Sequence, residues 1–153
     1  MAEKNKKLRL KIVTPTKPVF DDDVDMVILH TSDGQIGVLA GHQPVTTVMG
    51  YGPLRVYNDE RIEYFAVFGG FAEINPQGAT ILADIAEHPN EIDAERARRA
   101  IERAERRKTE QKSDLDEKRL KMALRKASVR LELSGLPPIM GEPASFDTDK
   151  NKI

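Results

Sequence analysis

HPNEID, residues 88–93, divides this 153-residue chain into two kinds of sequence. Ahead of it, short apolar and β-branched runs are broken at close intervals by Gly, Pro and Asn-Asp clusters. Beyond it, from residue 90 to residue 134, there is neither Gly nor Pro, and Ala, Glu, Arg, Lys and Leu dominate. Those are strong helix formers. The charge changes at the same place. Residues 1–89 carry 8 Lys+Arg against 12 Asp+Glu, whereas residues 90–134 carry 14 against 10. An acidic unit followed by a basic, charge-dense one implies two units with different partners.

Upstream of the boundary the pattern has the period of strands. LRLKIV alternates Leu8, Leu10 and Ile12 with Arg9 and Lys11, as a half-buried strand does. VDMVILH is β-branched and apolar, bounded by three aspartates at 21–23 and by SDG at 32–34. IGVLA, PVTTVMG, PLRVY, RIEYFAVF, GFAEI and ATILADIA follow. Turn signals separate them at GYGP (50–53), NDE (58–60), GG (69–70) and NPQG (75–78). Many short strands at this spacing predict an all-β domain over residues 1–89, an antiparallel β-sandwich, rather than βαβ units.

Downstream, Ala94, Ala97, Ile101 and Ala104 share one helical stripe. A polar break at 108–114, KTEQKSD, precedes a second stripe of Leu120, Leu124, Ala127 and Leu131, with Ser113 and Asp116 in capping order. The spacing predicts an antiparallel αα-hairpin over 90–134, closed by Gly135 and the prolines at 137 and 138. Residues 135–153 are expected to form a flexible polar tail. The fold class is therefore a β-sandwich followed by a helical hairpin. Alanine makes a thin seam: at about 0.8 kcal/mol per methylene-sized group, three alanines hold the pair by only a few kcal/mol. A hairpin that opens on an intact β domain and a static helix pair both fit that seam.

Composition removes several function classes. Hydrophobic residues make up 39%, and no run approaches the roughly 18 apolar residues of a spanning helix. The opening MAEKNKKLRL is basic without an apolar stretch, so no secretory leader is expected. Without cysteine there are neither disulfides nor thiolate metal sites, and no metal is expected. Trp is absent and aromatics are only 5%, which argues against base stacking on nucleic acid.

The densest glycine segment is DGQIGVLAGHQP, residues 33–44. Its GQIG does not lie between two helices, as a KH clamp requires. A phosphate loop needs Gly-Lys-Ser/Thr, yet no lysine stands between Lys17 and Lys108. With no helix following, a dinucleotide fingerprint fails as well. A turn-shaping or protein-contacting role for Gly34, Gly37 and Gly41 remains.

SDGQIGVLAGHQPVTT, with GPLRV, FAVFGGFAEI, ILADIAE, IDAERA and LRKASVRLE, closely resembles the epsilon subunit of bacterial and chloroplast F-type ATP synthases across residues 8–133. The resemblance implies a β-sandwich bound to the rotor, beside the gamma subunit and on the c-ring, with Gln35 and His42 as c-ring contact candidates. It also implies a helical hairpin that restrains ATP hydrolysis, and no catalytic residue. Six basic residues and no acidic one occupy 118–130, KRLKMALRKASVR. Arg119, Lys126 and Arg130 fall within about 40° at 100° per residue. On the resemblance, this face meets an acidic segment of the catalytic beta subunit; otherwise it is a solvated charged face.

The resemblance further implies an ATP site at Glu87, Ile92, Asp93, Arg96, Ala97, Lys126 and Arg130, with ATP a regulatory ligand rather than a required cofactor. Asp93 is equally suited to capping the first helix. The implied location is peripheral, at the cytoplasmic face of a bacterial plasma membrane, without membrane insertion and without nucleic acid. A stand-alone ATP-sensing switch is the alternative.

Overall fold

The computed structural model describes residues 6–110, 113–136 and 139–141. Eight strands come first: β1 (Leu8–Val13), β2 (Pro18–Val24), β3 (Met26–Thr31), β4 (Gly34–Leu39), β5 (Val45–Val48), β6 (Tyr51–Asn58), β7 (Arg61–Ile74) and β8 (Gly78–Glu87). A single 3-10 turn, Pro89–Glu91, leads into α1 (Ala94–Lys108) and α2 (Asp114–Ser134). The division expected at HPNEID is thus where strand gives way to helix.

The strands hydrogen-bond in the order β2-β1-β8-β7-β6-β3-β4, with β5 on β7. Side chains of β1 and β8 (Leu8, Leu10, Ile12, Ile81) share one buried core with those of β3 and β6 (Val27, Leu29, Leu54, Val56), so the strands fold over as a sandwich. The alternation of LRLKIV is reproduced residue for residue: Leu8, Leu10 and Ile12 are buried, Arg9 and Lys11 exposed. One ladder departs from the antiparallel rule. β1 and β8 run parallel, with Ile12 opposite Ile81. The six strands between them supply the long connection a parallel pair needs.

Three sequence readings change in the structure. The aspartates at 21–23 do not bound a strand; they lie within β2, opposite β1. An edge strand tolerates them, since their carboxylates face water, and Arg9 Nη2 binds Asp21 Oδ1 at 2.8 Å. GYGP is not a turn after residue 50, because Tyr51, Gly52 and Pro53 pair with β7. Gly69-Gly70 does not separate two strands either. It lies inside one 14-residue strand, β7, which pairs with β6 up to Phe68 and with β5 from Phe71 onward. Both glycines have positive φ, +73° and +102°. A Cβ on Gly70 would lie 2.0 Å from the Leu82 carbonyl oxygen. Only glycine lets β7 change partners there while keeping β8.

In the hairpin, Asp93 caps α1 by accepting from the Arg96 N–H at 3.1 Å. Ser113 caps α2 and its Oγ also donates to Asp116 at 2.8 Å. Ala97 and Ala104 are buried in the seam as expected. α2 carries a second apolar face besides Leu120, Leu124, Ala127 and Leu131. Val129 and Leu133, one turn apart, are buried with Ala66 and Phe68 of β7. That contact docks the hairpin, and α2 rather than α1 makes it.

Part of the segment expected to be a flexible tail is ordered. Ile139–Gly141 forms a short strand, β9, antiparallel to Arg61–Glu63 of β7. Of the rest of that expectation, residues 137–138 and 142–153 lie outside the described residues.

Gly70→Ala is expected to cost the sandwich about 3 kcal/mol or more, from backbone strain and collision with β8. Gly37, whose added Cβ would meet nothing within 4 Å, serves as the control; Gly37→Ala should change stability by about 0.5 kcal/mol or less. Urea midpoints of the two variants measure the contrast.

Candidate functional site

The end of β8 and the start of α1 are joined by a tight, well-tied hinge. His88 Nε2 is 3.2 Å from Glu63 and its Nδ1 is 2.9 Å from Asn90. The backbone N–H of His88 donates to Glu91 at 3.1 Å. That bond first, and Lys17 at 3.2 Å after it, hold the Glu91 carboxyl below its ordinary pKa of 4.5. With the hinge set this way, Ile92 packs on the Ala66/Phe68/Val129/Leu133 cluster and Asp93 begins α1.

A cavity of about 350 Å³ opens at this junction, lined by Glu87, Ile92, Asp93, Arg96, Ala97 and Arg130, with Glu91, Ala100, Arg103 and Ala127. Six of the seven residues expected at an ATP site are therefore together, drawn from β8, the hinge, α1 and α2. The cavity exists because alanines face one another: Ala97, Ala100 and Ala127 leave volume that longer side chains would fill. At its wall, Arg130 Nε and Nη2 bind the two Glu87 oxygens at 2.8 and 2.7 Å. Both partners are about a quarter to a third exposed. This bidentate pair occupies two faces of the guanidinium fork and leaves the Nη1 hydrogens free for another acceptor.

Lys126 does not line the cavity. Its Nζ lies 5.3 Å from the centroid of the Tyr51 ring, on the sandwich side of α2. The neighbouring Arg125 also turns that way and donates from Nε to the Tyr51 carbonyl at 2.8 Å. The reason is docking: Val129 and Leu133 set the rotation of α2, and residues 125 and 126 then point over β6. Sequence reasoning also passed over Arg103, which lines the cavity and stands seven residues, or two turns, beyond Arg96 on the same face of α1. That spacing was the available signal.

Arg119 borders a second groove, about 530 Å³, toward the tip of the hairpin with Arg103, Arg107 and Asp116. The three residues of the expected basic face thus have three settings: Arg119 in the tip groove, Lys126 over Tyr51, Arg130 on Glu87. Gln35 is exposed in β4, and His42 lies beyond the other end of that strand, its Nδ1 2.7 Å from the Gln43 carbonyl. The structure keeps them apart, at opposite ends of β4. Gly34 and Gly41 adopt φ of +131° and +84°, so their turn-shaping role is real, whereas Gly37 sits in the strand.

The β-sandwich domain of the ATP synthase delta/epsilon chain matches residues 7–89. The long α-helix domain of the same chain matches residues 90–135. The chain belongs to the ATP synthase delta/epsilon family. The ATP synthase epsilon chain of Halalkalibacterium halodurans is 42% identical over 129 residues, which cover 84% of this chain and 97% of that one. The epsilon chain of Caldicellulosiruptor bescii is 44% identical over 126 residues, 82% of this chain and 91% of that one. A chain from the mitochondrial ATP synthase of Euglena gracilis, solved as an OSCP/F1/c-ring assembly, shares the fold with a TM-score of 0.72 at 24% identity, over 86% of this chain and 84% of its own. The resemblance carried by residues 32–47 and by IDAERA is therefore borne out at the level of the family. No described helix of this family member is long and apolar enough to cross a membrane.

One titrating group lies where α2 meets the sandwich. His30, on β3, packs its ring on Gly50 and Gly52, where an added Cβ would come within 3.0 and 2.7 Å of it. Its Nδ1 is buried without a partner among the described residues. Burial first, and then the charge of Arg125, push the imidazole below its ordinary 6.5. The unfolded chain therefore takes up the proton at a higher pH than the folded one. The stability contributed by neutral His30 is complete above 6.5 and is lost as pH falls below it. Urea midpoints should decline as pH falls below about 6.5, and His30→Gln should flatten that decline. An unchanged slope in the variant would assign the pH dependence to other groups.

Proposed function

We propose that this family member is a non-catalytic rotor subunit of an F-type ATP synthase, whose sandwich couples the gamma subunit to the c-ring and whose hairpin restrains ATP hydrolysis. Its place is peripheral, on the cytoplasmic side of a bacterial plasma membrane. The observation that carries the reading is the seam cavity. It is built from the sandwich, the hinge and both helices, so whatever fills it bears on whether the hairpin stays closed.

ATP is the ligand we assign to that cavity. Arg96, Arg103 and Arg130 bring three guanidinium groups to one space, the chemistry that suits a polyphosphate. Glu87 orients Arg130 while leaving donors for phosphate oxygens. A ligand held by residues on both sides of the seam binds the closed form better than the open one, and so shifts the population toward closure. In the open form Arg119, Lys126 and Arg130 become available to an acidic segment of the beta subunit, steered by charge and weakened by salt. An apolar row supports a subunit partner on the sandwich. Val48, Phe71 and Leu82 stand side by side across β5, β7 and β8 on the outer face, each about half exposed. Gln35, which is exposed, and His42, which is half-buried, remain the residues we assign to c-ring contact.

The test is ATP hydrolysis by the cognate complex lacking this subunit, after adding back the full chain or a chain ending at Pro89. Slowing by the full chain alone assigns the brake to the hairpin. Binding of both without inhibition leaves only the coupling role, and failure of both to bind gamma removes the reading altogether. A stand-alone nucleotide switch would instead close on ATP and ignore gamma.

Calorimetric titration with ATP separates the cavity residues from their neighbour. Arg96→Ala and Arg130→Ala are each expected to weaken binding at least tenfold, roughly the loss of a charge-assisted contact to phosphate. Lys126→Ala should change it about twofold or less, because its ammonium lies over Tyr51.

A further inference from the structure

β7 offers two edges at Arg61–Glu63. One is taken by β6, with Ile62 opposite Tyr57. The other is the edge used higher up by β8, whose last pair is Ala66 with Glu87. Where β8 leaves at Glu87, the edge would be bare. β9 fills it, with Glu63 opposite Ile139, Ile62 opposite Met140 and Arg61 opposite Gly141. The family domains end at residue 135, so β9 lies outside the matched region.

We propose that β9 is a strap that holds the helical hairpin closed against the sandwich. Chain length makes the case. α2 ends at Ser134 and β9 begins at Ile139. The four residues between them make five Cα-to-Cα steps, which span at most roughly 18 Å when fully extended, at about 3.5 Å each. While β9 is paired, the C-terminal end of α2 stays within that radius of β7. Any motion that carries the whole of α2 away must first peel β9 from the sheet. Pro137 and Pro138 in the connection lower its conformational freedom, so less entropy is lost when β9 pairs.

The strap also meets the hinge. Glu63, the first β7 residue that β9 covers, is the residue bound by His88 Nε2 at 3.2 Å. On the other side of the connection, Leu133 is buried against β7 and the Leu136 N–H donates to its carbonyl at 3.0 Å. One run of chain therefore ties α2, the exit of β8 and the lower end of β7 together. Each pairing is modest by itself, since a net backbone hydrogen bond contributes little. Tethering raises the effective concentration of the strand at its edge, so the strap re-forms readily after each opening. It acts on the hairpin with or without a nucleotide in the seam cavity, and so stands apart from the assignment of ATP.

The experiment is native-state hydrogen exchange on three full-length or near-full-length proteins: the natural chain, a chain ending at Leu136, and Met140→Pro, which keeps the length but disfavours the strand. In both variants the amides of residues 129–134 are expected to exchange about tenfold faster, the scale of losing two or three such weak bonds. Protection should fall at residues 61–63, while β3 and the β6 core keep theirs and report an intact sandwich. If residues 61–63 lose protection but α2 exchanges at its original rate, β9 pairs without holding the hairpin and the proposal fails. If removing residues 137–153 changes neither region, β9 is not paired in solution and it fails outright.

Discussion

The structure depends on a small contact, Val129 and Leu133 of α2 against Ala66 and Phe68 of β7. Four apolar side chains fix the rotation of α2 about its own axis. From that rotation the rest follows. Arg130 is delivered to Glu87, Arg125 and Lys126 are turned over Tyr51, and Ala127 is left facing Ala97 across the seam. The same contact is small: Ala66, Phe68, Val129 and Leu133 are its buried members.

β7 is the second constraint. Its 14 residues pair with β6 and then β5 on one side, and with β9 and then β8 on the other. Gly69 and Gly70 permit the change of partner without breaking the strand. One strand thereby supports the docking contact, the exposed Phe71 of the outer apolar row, and the edge that β9 covers. Damage at its bend would reach the outer apolar row and the hairpin together. That shared support links the outer apolar row and the docking contact of α2 through one strand.

The chemistry of the seam cavity is mixed in a useful way. Asp93 has a demonstrated structural task, capping α1, and that does not disqualify it from lining a ligand site. Arg130 similarly has a resident partner in Glu87. That pairing makes the half-buried Arg130 charge less costly to hold in place than a bare guanidinium would be. On the proposed reading, phosphate oxygens would have to take the donors that Glu87 leaves, or displace it.

Much of this was legible in sequence. Local periodicity gave β1, β3 and both helices, because each buries one face and its apolar residues recur at that element's own spacing. The helix caps Asp93 and Ser113 were legible for the same reason, being interactions within three residues. The family and the membership of six cavity residues followed from motif positions. What local pattern could not supply was partner choice. Nothing within a few residues of Gly69-Gly70 distinguishes a turn from a bend inside a strand, since the difference lies in which strand waits on the far side.

Most strand and helix content, the boundary at 88–93, and six of the cavity's residues were thus determined by the chain itself. Tertiary structure alone decided that the aspartates of β2 sit on a sheet edge, that Lys126 leaves the cavity for Tyr51, and that Ile139–Gly141 returns to β7. The physical reason is common to all three. Each outcome depends on a long-range neighbour, whether an edge, an aromatic face or an unfilled strand, whose position is set by packing elsewhere. Local propensity carries no record of such neighbours.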